Sequence, residues 1–179
     1  NISDAFHAKG KKLVVVLNIC GVIETASWRD QADGILLAWQ PGLEAGNAIT
    51  DVLSGKVNPS GKLATTFPAK YEDEPSAKNF PGKEMPMPAG EKPNPMRGHP
   101  AEVTYEEGIY VGYRYYTTFD VKPAYEFGYG LSYTKFKYSD LKLSSQTFNG
   151  SLTATVTVTN TGDMAGREVV QLYVSAPAA

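Results

Sequence analysis

The sequence predicts an α/β fold that gives way, late in the chain, to an incomplete antiparallel β-sandwich. Three observations carry this. Two short apolar runs, residues 13–17 and 34–39, alternate with stretches of helical spacing, as in an α/β layer with a mainly parallel sheet. A proline-rich excursion then interrupts regular structure between residues 73 and 103. Beyond residue 134 the apolar residues recur with a period of two.

Taken in order, Ile2, Ala5, Phe6 and Ala8 lie at helical spacing, so the chain opens in a helix. Asn1-Ile2-Ser3-Asp4 has neither an initiator Met nor the basic-then-apolar pattern of a signal peptide. We read residue 1 as a cut within a longer protein. Residues 11–18 (KKLVVVLN) predict a buried parallel strand. Residues 34–39 (GILLAW) predict a second, ended by the turn pair Pro41-Gly42. Ala45, Ala48, Ile49, Val52 and Leu53 share one helical face, and Gly55 stops that helix. A turn at residues 55–62 leads into a strand at 63–67.

Pro75, Pro81, Pro86, Pro88, Pro93, Pro95 and Pro100 then fix φ and remove backbone donors, which predicts an irregular, mobile segment. Residues 109–116 (IYVGYRYY) predict an aromatic strand, and the glycines of residues 127–133 predict tight turns. In the tail, Leu152, Ala154, Val156 and Val158 alternate with threonines, and Val170, Leu172 and Val174 alternate again after a turn at residues 160–163. Residues 134–179 hold about three strands, whereas an immunoglobulin-like sandwich needs about seven. The tail is therefore expected to need a cover.

Composition excludes several classes. The net charge is −2 with no basic stripe, which argues against nucleic acid and anionic membranes as partners. Apolar runs such as residues 13–17 fall far short of the ~20 residues of a membrane span. One cysteine, Cys20, allows no internal disulfide and reads as a buried, inert thiol. With only His7 and His99 and no Cys/His cluster, no metal or other cofactor is expected. Residues 55–62 evoke a phosphate loop but miss its spacing, because Lys56 and Leu63 occupy required positions.

No carboxylate pair for glycoside chemistry is expected within the chain. Glu106 and Glu107 are adjacent, and strand neighbours face opposite sides. Glu72-Asp73-Glu74 reads as a solvated acidic run. Tyr105, Tyr110, Tyr113, Tyr115, Tyr116, Tyr125, Tyr129 and Tyr133 crowd one third of the chain. Their flat apolar faces and polar tips suit sugars, but core and interface packing is the simpler reading.

Five ordered segments carry a family resemblance. Residues 13–22 (LVVVLNICGV) resemble the "VVVLNxGxPV" strand and turn of family 3 glycoside hydrolases. Residues 38–48 (AWQPGLEAGNA) resemble their "AWxPGxEGGxA", and residues 51–68 (DVLSGKVNPSGKLATTFP) their "DVLFGDxNPSGRLPxTFP". Residues 105–116 (YEEGIYVGYRYY) and 123–136 (PAYEFGYGLSYTKF) are similar to "YxEGIxVGYRYY" and "PLFPFGHGLSYTxF". From Tyr138 onward the chain resembles the opening of a fibronectin type III-like domain. Departures are Ile19-Cys20 after Asn18, and Ala64 where the family has Pro.

The resemblance implies a parent with a (β/α)₈ barrel, an α/β sandwich domain and a fibronectin-like domain, acting as a retaining β-glucosidase on terminal β-linked sugars. Residues 1–133 would belong to the α/β sandwich domain and 134–179 to the start of the fibronectin-like one. The family's nucleophilic Asp and its acid/base Glu in a "GEG" loop have no counterpart here, so no catalytic residue is assigned. The implied partners are an oligosaccharide or β-glucoside substrate and the missing barrel. A homo-oligomer through the incomplete sandwich is also expected, as is a periplasmic or secreted location. Ligands of α/β sheets gather beyond the carboxyl ends of strands. Asn18, Trp39, Gln40 and Glu44 are therefore the candidate substrate-binding residues, although turn and helix-start roles also suit them. The competing readings are a non-catalytic carbohydrate-binding module and a protein-interaction module.

Overall fold

The computed structural model describes residues 1–92, 94, 96 and 98–175, so Pro93 and Pro95 of the excursion lie outside the described residues. These residues form two compact units. The first gathers Asn1–Val16, Gly21–Leu36 and Ala64–Phe127; the second gathers Leu17–Cys20, Leu37–Leu63 and the chain from Gly128 onward.

The first unit opens with helix α1 (Ile2–His7), started by a capping box in which the Asn1 side chain accepts from the Asp4 N–H and Asp4 reaches back. Ser3 is buried and donates to the Gln31 carbonyl at 2.6 Å. At the other end of the helix, His7 Nε2 lies 2.8 Å from Asp33 Oδ2. Lys12 Nζ (2.7 Å) and the Leu13 N–H (2.8 Å) also donate to this carboxylate. Lys12 first, then Leu13 and His7, hold Asp33 far below the usual carboxylate range. Strands β1 (Val14–Leu17) and β2 (Gly34–Leu37) form a two-stranded sheet. The Leu13 carbonyl accepts from the Asp33 and Gly34 N–H groups at its start. β2 stops short of the predicted residue 39, because Trp39 turns to φ 51°, outside the extended region.

The strand predicted at residues 63–67 is reduced to one antiparallel bridge, Phe67 to Tyr125. The Phe67 N–H donates to the Tyr125 carbonyl at 2.8 Å, and the Phe67 carbonyl accepts from Ala124 at 2.8 Å. The Phe67 ring is 2% exposed, and Tyr125 meets it edge-on at 6.1 Å. Arg29 lies over the Tyr125 ring, 5.1 Å from its centroid, and its guanidinium donates to the Ala124 carbonyl.

Between residues 73 and 103 the described residues hold little regular structure. There is a 3₁₀ turn at Ala77–Asn79, and the two-residue strands β3 (Lys83–Glu84) and β4 (Ala101–Glu102) pair antiparallel. The aromatic strand predicted at residues 109–116 is instead entered through a turn and becomes helix α3 (Tyr113–Thr118). Gly112, at φ 57° and ψ −136°, supplies the break that an L-residue resists. Tertiary packing then overrides the β-preference of these tyrosines. Tyr116 is 4% exposed, Tyr113 packs on Phe127 at 5.4 Å, and Tyr115 packs on Phe119 at 5.1 Å.

In the second unit, helix α2 (Ala45–Leu53) half-buries Ala45, Ile49 and Val52 along one stripe and ends ahead of Gly55, where the sequence placed it. Asn58 is the hub of this unit at 8% exposure. Its Nδ2 donates to the Ala165 carbonyl (3.1 Å), and its Oδ1 accepts from Ser132 Oγ (3.1 Å) and the Tyr133 N–H (2.9 Å). One amide thus ties three distant loops together. The Tyr133 hydroxyl donates to the Val52 carbonyl at 2.9 Å, the hydroxyl-to-backbone role expected of a packing tyrosine.

Strands β5 (Phe136–Leu143) and β6 (Ala154–Asn160) pair antiparallel from Phe136 opposite Asn160 to Leu143 opposite Ala154. The register slips between Ser139 and Lys142, with Asp140 at φ 55°, the signature of a β-bulge. The period-two tail predicts β6 well, but residues 169–174 form no strand. Val169, Val170, Leu172, Tyr173 and Val174 are all exposed, as are Tyr138, Leu141 and Leu143 of β5. Alternation makes a strand only where a partner ladder is present, and here none is supplied to this segment by the described residues. Cys20, expected to be buried, is exposed, because it lies in the loop after β1 rather than in the strand.

Candidate functional site

The four sequence-predicted residues all fall in the second unit. Asn18 leaves the end of β1 and is exposed, while Trp39 follows β2 and is half-buried. The Leu17 carbonyl accepts from the Ala38 N–H at 2.9 Å, so the two strand ends lie side by side. Gln40 is exposed. Glu44 precedes α2 without capping it, and its Oε2 accepts from Asn47 Nδ2 at 2.5 Å. Trp39 stands out among them. A non-glycine residue at φ 51° holds local strain, which structures tolerate most often where a side chain must be presented in one direction.

The first unit holds a cleft that the sequence concealed. Its volume is about 370 Å³, and its lining brings together Glu72, Glu74, Lys78, Glu106, Glu107 and an aromatic wall. The 3₁₀ turn Tyr71–Asp73 and the turn at Ala77–Asn79 position the first three residues. The wall is made by Tyr110 and by Tyr115 and Phe119 of the α3 end, with the Tyr110 and Phe119 rings 5.0 Å apart.

This cleft corrects two expectations. Glu106 and Glu107 do not sit in a strand with opposed faces. The Tyr110 N–H donates to the Glu107 carbonyl at 2.9 Å, so the pair stands at the mouth of a turn, and both residues contribute to the lining of one cavity. Nor is residues 72–74 simply a solvated acidic run, because Glu74 is half-buried and its Oε2 accepts from the Tyr116 hydroxyl at 3.5 Å. The legible signal was the turn-forming Glu-Gly step after Glu106, which is incompatible with a continuing strand.

The electrostatics of the cleft are uneven. Burial pushes the Glu74 carboxyl up, and the nearby Glu107 charge adds to that. Lys78 Nζ lies 2.7 Å from Glu106 Oε2; the pairing holds Glu106 low and Lys78 high. Burial also raises the Tyr116 phenol, with Glu74 contributing. Glu107 Oε2 is shut away from solvent without a hydrogen-bond partner among the described residues. The described residues hold no group of three or more His, Cys, Asp or Glu able to hold a metal ion. No helix among them is long and apolar enough to cross a membrane.

Residues 2–113 match the model of the glycosyl hydrolase family 3 C-terminal domain. The chain belongs to glycosyl hydrolase family 3. Within this family it is 46% identical over 165 residues to beta-glucosidase B of Emericella nidulans, covering 90% of this chain and 19% of that protein. It is 43% identical over 163 residues to thermostable beta-glucosidase B of Acetivibrio thermocellus, covering 90% and 20%. Among solved structures, beta-glucosidase 3B from Thermotoga neapolitana, determined in complex with glucose, superposes with a TM-score of 0.75 at 54% identity. That match covers 90% of this chain and 20% of the other. The family 3 chain thus spans about a fifth of the length of these relatives. Its helices and small sheets agree with the α/β C-terminal domain of the family.

Proposed function

We propose that this chain is the supporting C-terminal part of a retaining, exo-acting β-glucosidase that removes terminal β-linked sugars from oligosaccharides or glycosides. The observation that carries this is the 54% identity to beta-glucosidase 3B across 90% of the chain. In this reading residues 1–133 belong to the α/β sandwich domain. A parallel sheet is part of this reading, supported by the Leu13 and Leu17 carbonyls, which accept from Gly34 and Ala38 in the same sense along both strands. Residues 134–179 begin a fibronectin type III-like domain, a reading supported by the antiparallel β5–β6 pair. The chain docks on a barrel domain, steadies the acid/base loop over it, and offers Asn18, Trp39, Gln40 and Glu44 to the substrate from adjoining strand ends. A periplasmic or secreted location follows from the same reading.

Neither catalytic carboxylate lies in these residues, because neither family motif is present. The 179-residue chain purified alone is therefore expected to release no nitrophenol from an aryl β-glucoside, and to contribute to turnover only when joined to the barrel. The sharpest control is Glu74→Gln, which removes the raised carboxyl of the cleft. Turnover by the isolated chain that disappears in this variant would show that the acid/base pair is internal.

The tail carries a second consequence. Leu141, Leu143, Val158 and Leu172 are exposed, and a two-stranded ribbon is marginal in water. A second copy of this chain covers the ribbon by strand addition when the rest of the sandwich is absent. Sedimentation of the 179-residue chain is expected to give a dimer or larger species. A monomer at micromolar concentration, with the amides of residues 154–158 fully protected from hydrogen exchange, contradicts this.

A further inference from the structure

We propose that Asn149 is a self-modification site. The backbone nitrogen of Gly150 displaces the side-chain amide of Asn149 as ammonia, and water then leaves an aspartate or isoaspartate at the tip of the β5–β6 connection. The proposal concerns the tail alone and is independent of any hydrolase activity.

The chemistry needs a carboxamide, a following backbone nitrogen that can reach it, and freedom for both to turn. Asn149-Gly150 is the one Asn-Gly step in the sequence. Glycine has no Cβ to obstruct the approach. Base takes the Gly150 amide proton, and the nitrogen bonds to Asn149 Cγ. The Cγ–Nδ2 bond breaks, and Nδ2 leaves as ammonia with a proton from solvent. Water opens the resulting cyclic imide. Attack at Cγ gives aspartate; attack at the main-chain carbonyl carbon gives isoaspartate, with the backbone routed through Cγ. No oxidant or reductant is needed.

The structure leaves this step free to react. Residues 144–153 join β5 to β6 and are pinned at their base: the Ser144 N–H donates to the Thr153 carbonyl at 2.9 Å, and the Thr153 N–H to Ser144 Oγ at 3.0 Å. The Thr147 N–H donates to Ser145 Oγ at 3.0 Å. Past these bonds Asn149 and Gly150 are exposed, and Gly150 sits at φ 82° with open space where a Cβ would stand. Neither the Asn149 carboxamide nor the Gly150 N–H has a hydrogen-bond partner among the described residues. The nitrogen and the carboxamide therefore meet without breaking a bond of the fold, as suits an exposed loop tip.

Other asparagines lack one requirement or more. Asn58 is buried and precedes Pro59, which has no N–H to give up. Asn160 is tied by Nδ2 to the Met164 carbonyl at 2.9 Å, and its Oδ1 accepts from Thr134 Oγ1 at 2.6 Å. The next N–H, of Thr161, is spent on the Lys135 carbonyl at 2.8 Å. Asn47 lies in α2, where the Ala48 N–H donates to the Glu44 carbonyl at 2.9 Å. The β5–β6 register closes at Leu143 opposite Ala154. A new carboxylate, or one added backbone carbon, at residue 149 thus alters the tip and spares the ladder.

The test is incubation of the full folded chain in mildly alkaline buffer, followed by trypsin and fragmentation mass spectrometry. Tryptic residues 143–167 carry both Asn149 and Asn160, so one peptide holds the site and its control. Aspartate and isoaspartate are expected to accumulate at residue 149, faster as the pH rises, while Asn160 keeps its amide. Gly150→Ala places a Cβ in open space, so the fold tolerates it, yet it hinders the attacking nitrogen and should slow conversion several-fold. Unfolding the parent chain in urea should leave the rate at Asn149 nearly unchanged, because the fold does not restrain it. The proposal is overturned if Asn149 keeps its amide in the folded chain, whether or not it converts in urea. It is equally overturned if Asn160 converts as fast, or if Gly150→Ala converts at the parent rate.

Discussion

Phe67→Ala is expected to cost about 3–5 kcal/mol of stability, the range for truncating a buried aromatic ring. Phe67 and Tyr116 are the two buried hydrophobic side chains among the described residues, so the first unit has little else to close over the void. The loss has two parts. Removing the ring takes away transfer energy and leaves a cavity beside Tyr125, whose edge-on contact at 6.1 Å also disappears. The backbone bonds from Phe67 to Ala124 and Tyr125 survive the substitution, so the effect reports side-chain packing alone. Urea denaturation followed by tyrosine fluorescence measures it. A change under about 1 kcal/mol would mean that the site collapses onto the void and that Phe67 is not the centre of the core.

Asn58→Ala is expected to cost about 2–4 kcal/mol, because the partners of a buried amide are stranded along with it. Truncation leaves the Ala165 carbonyl, the Ser132 hydroxyl and the Tyr133 N–H without their shared partner. Asn58→Asp is the informative companion. It retains the acceptor for Ser132 and Tyr133 but turns a donor facing the Ala165 carbonyl into a second acceptor. It should therefore be destabilised at neutral pH and partly recovered as the pH falls and the new carboxyl protonates. Equal stability of the alanine variant and the parent in urea would remove Asn58 from its role as hub of the second unit.

Both effects depend on contacts between residues far apart in the chain, and this explains how much of the molecule its sequence disclosed. Local physics and ordered motifs were enough for α1, α2, the cores of β1 and β2, and family membership. The stripe of Ala45, Ile49 and Val52 with Gly55 beyond it needs no partner to be recognised as a helix. The period-two tail likewise announced β6. The candidate cleft was not legible. Glu106 and Glu107 looked mutually exclusive because a strand was assumed, and Glu74 looked solvated because its neighbours are acidic. Their convergence was decided by the turn at Tyr110, the hydroxyl of Tyr116 on α3 and the ion pair from Lys78. The aromatic run became α3 for the same kind of reason: burial of Tyr116 and packing of Tyr113 on Phe127 outweighed a β-preference of under about 1 kcal/mol per residue. Residues 169–174 failed in the opposite direction, having the pattern of a strand but no ladder to join among the described residues. By itself, then, the sequence determined the family, the helices with complete local signals and the polarity of each stretch. Tertiary structure alone decided which carboxylates meet, which aromatic rings wall a cavity and which alternating segment pairs, because each depends on what distant residues supply.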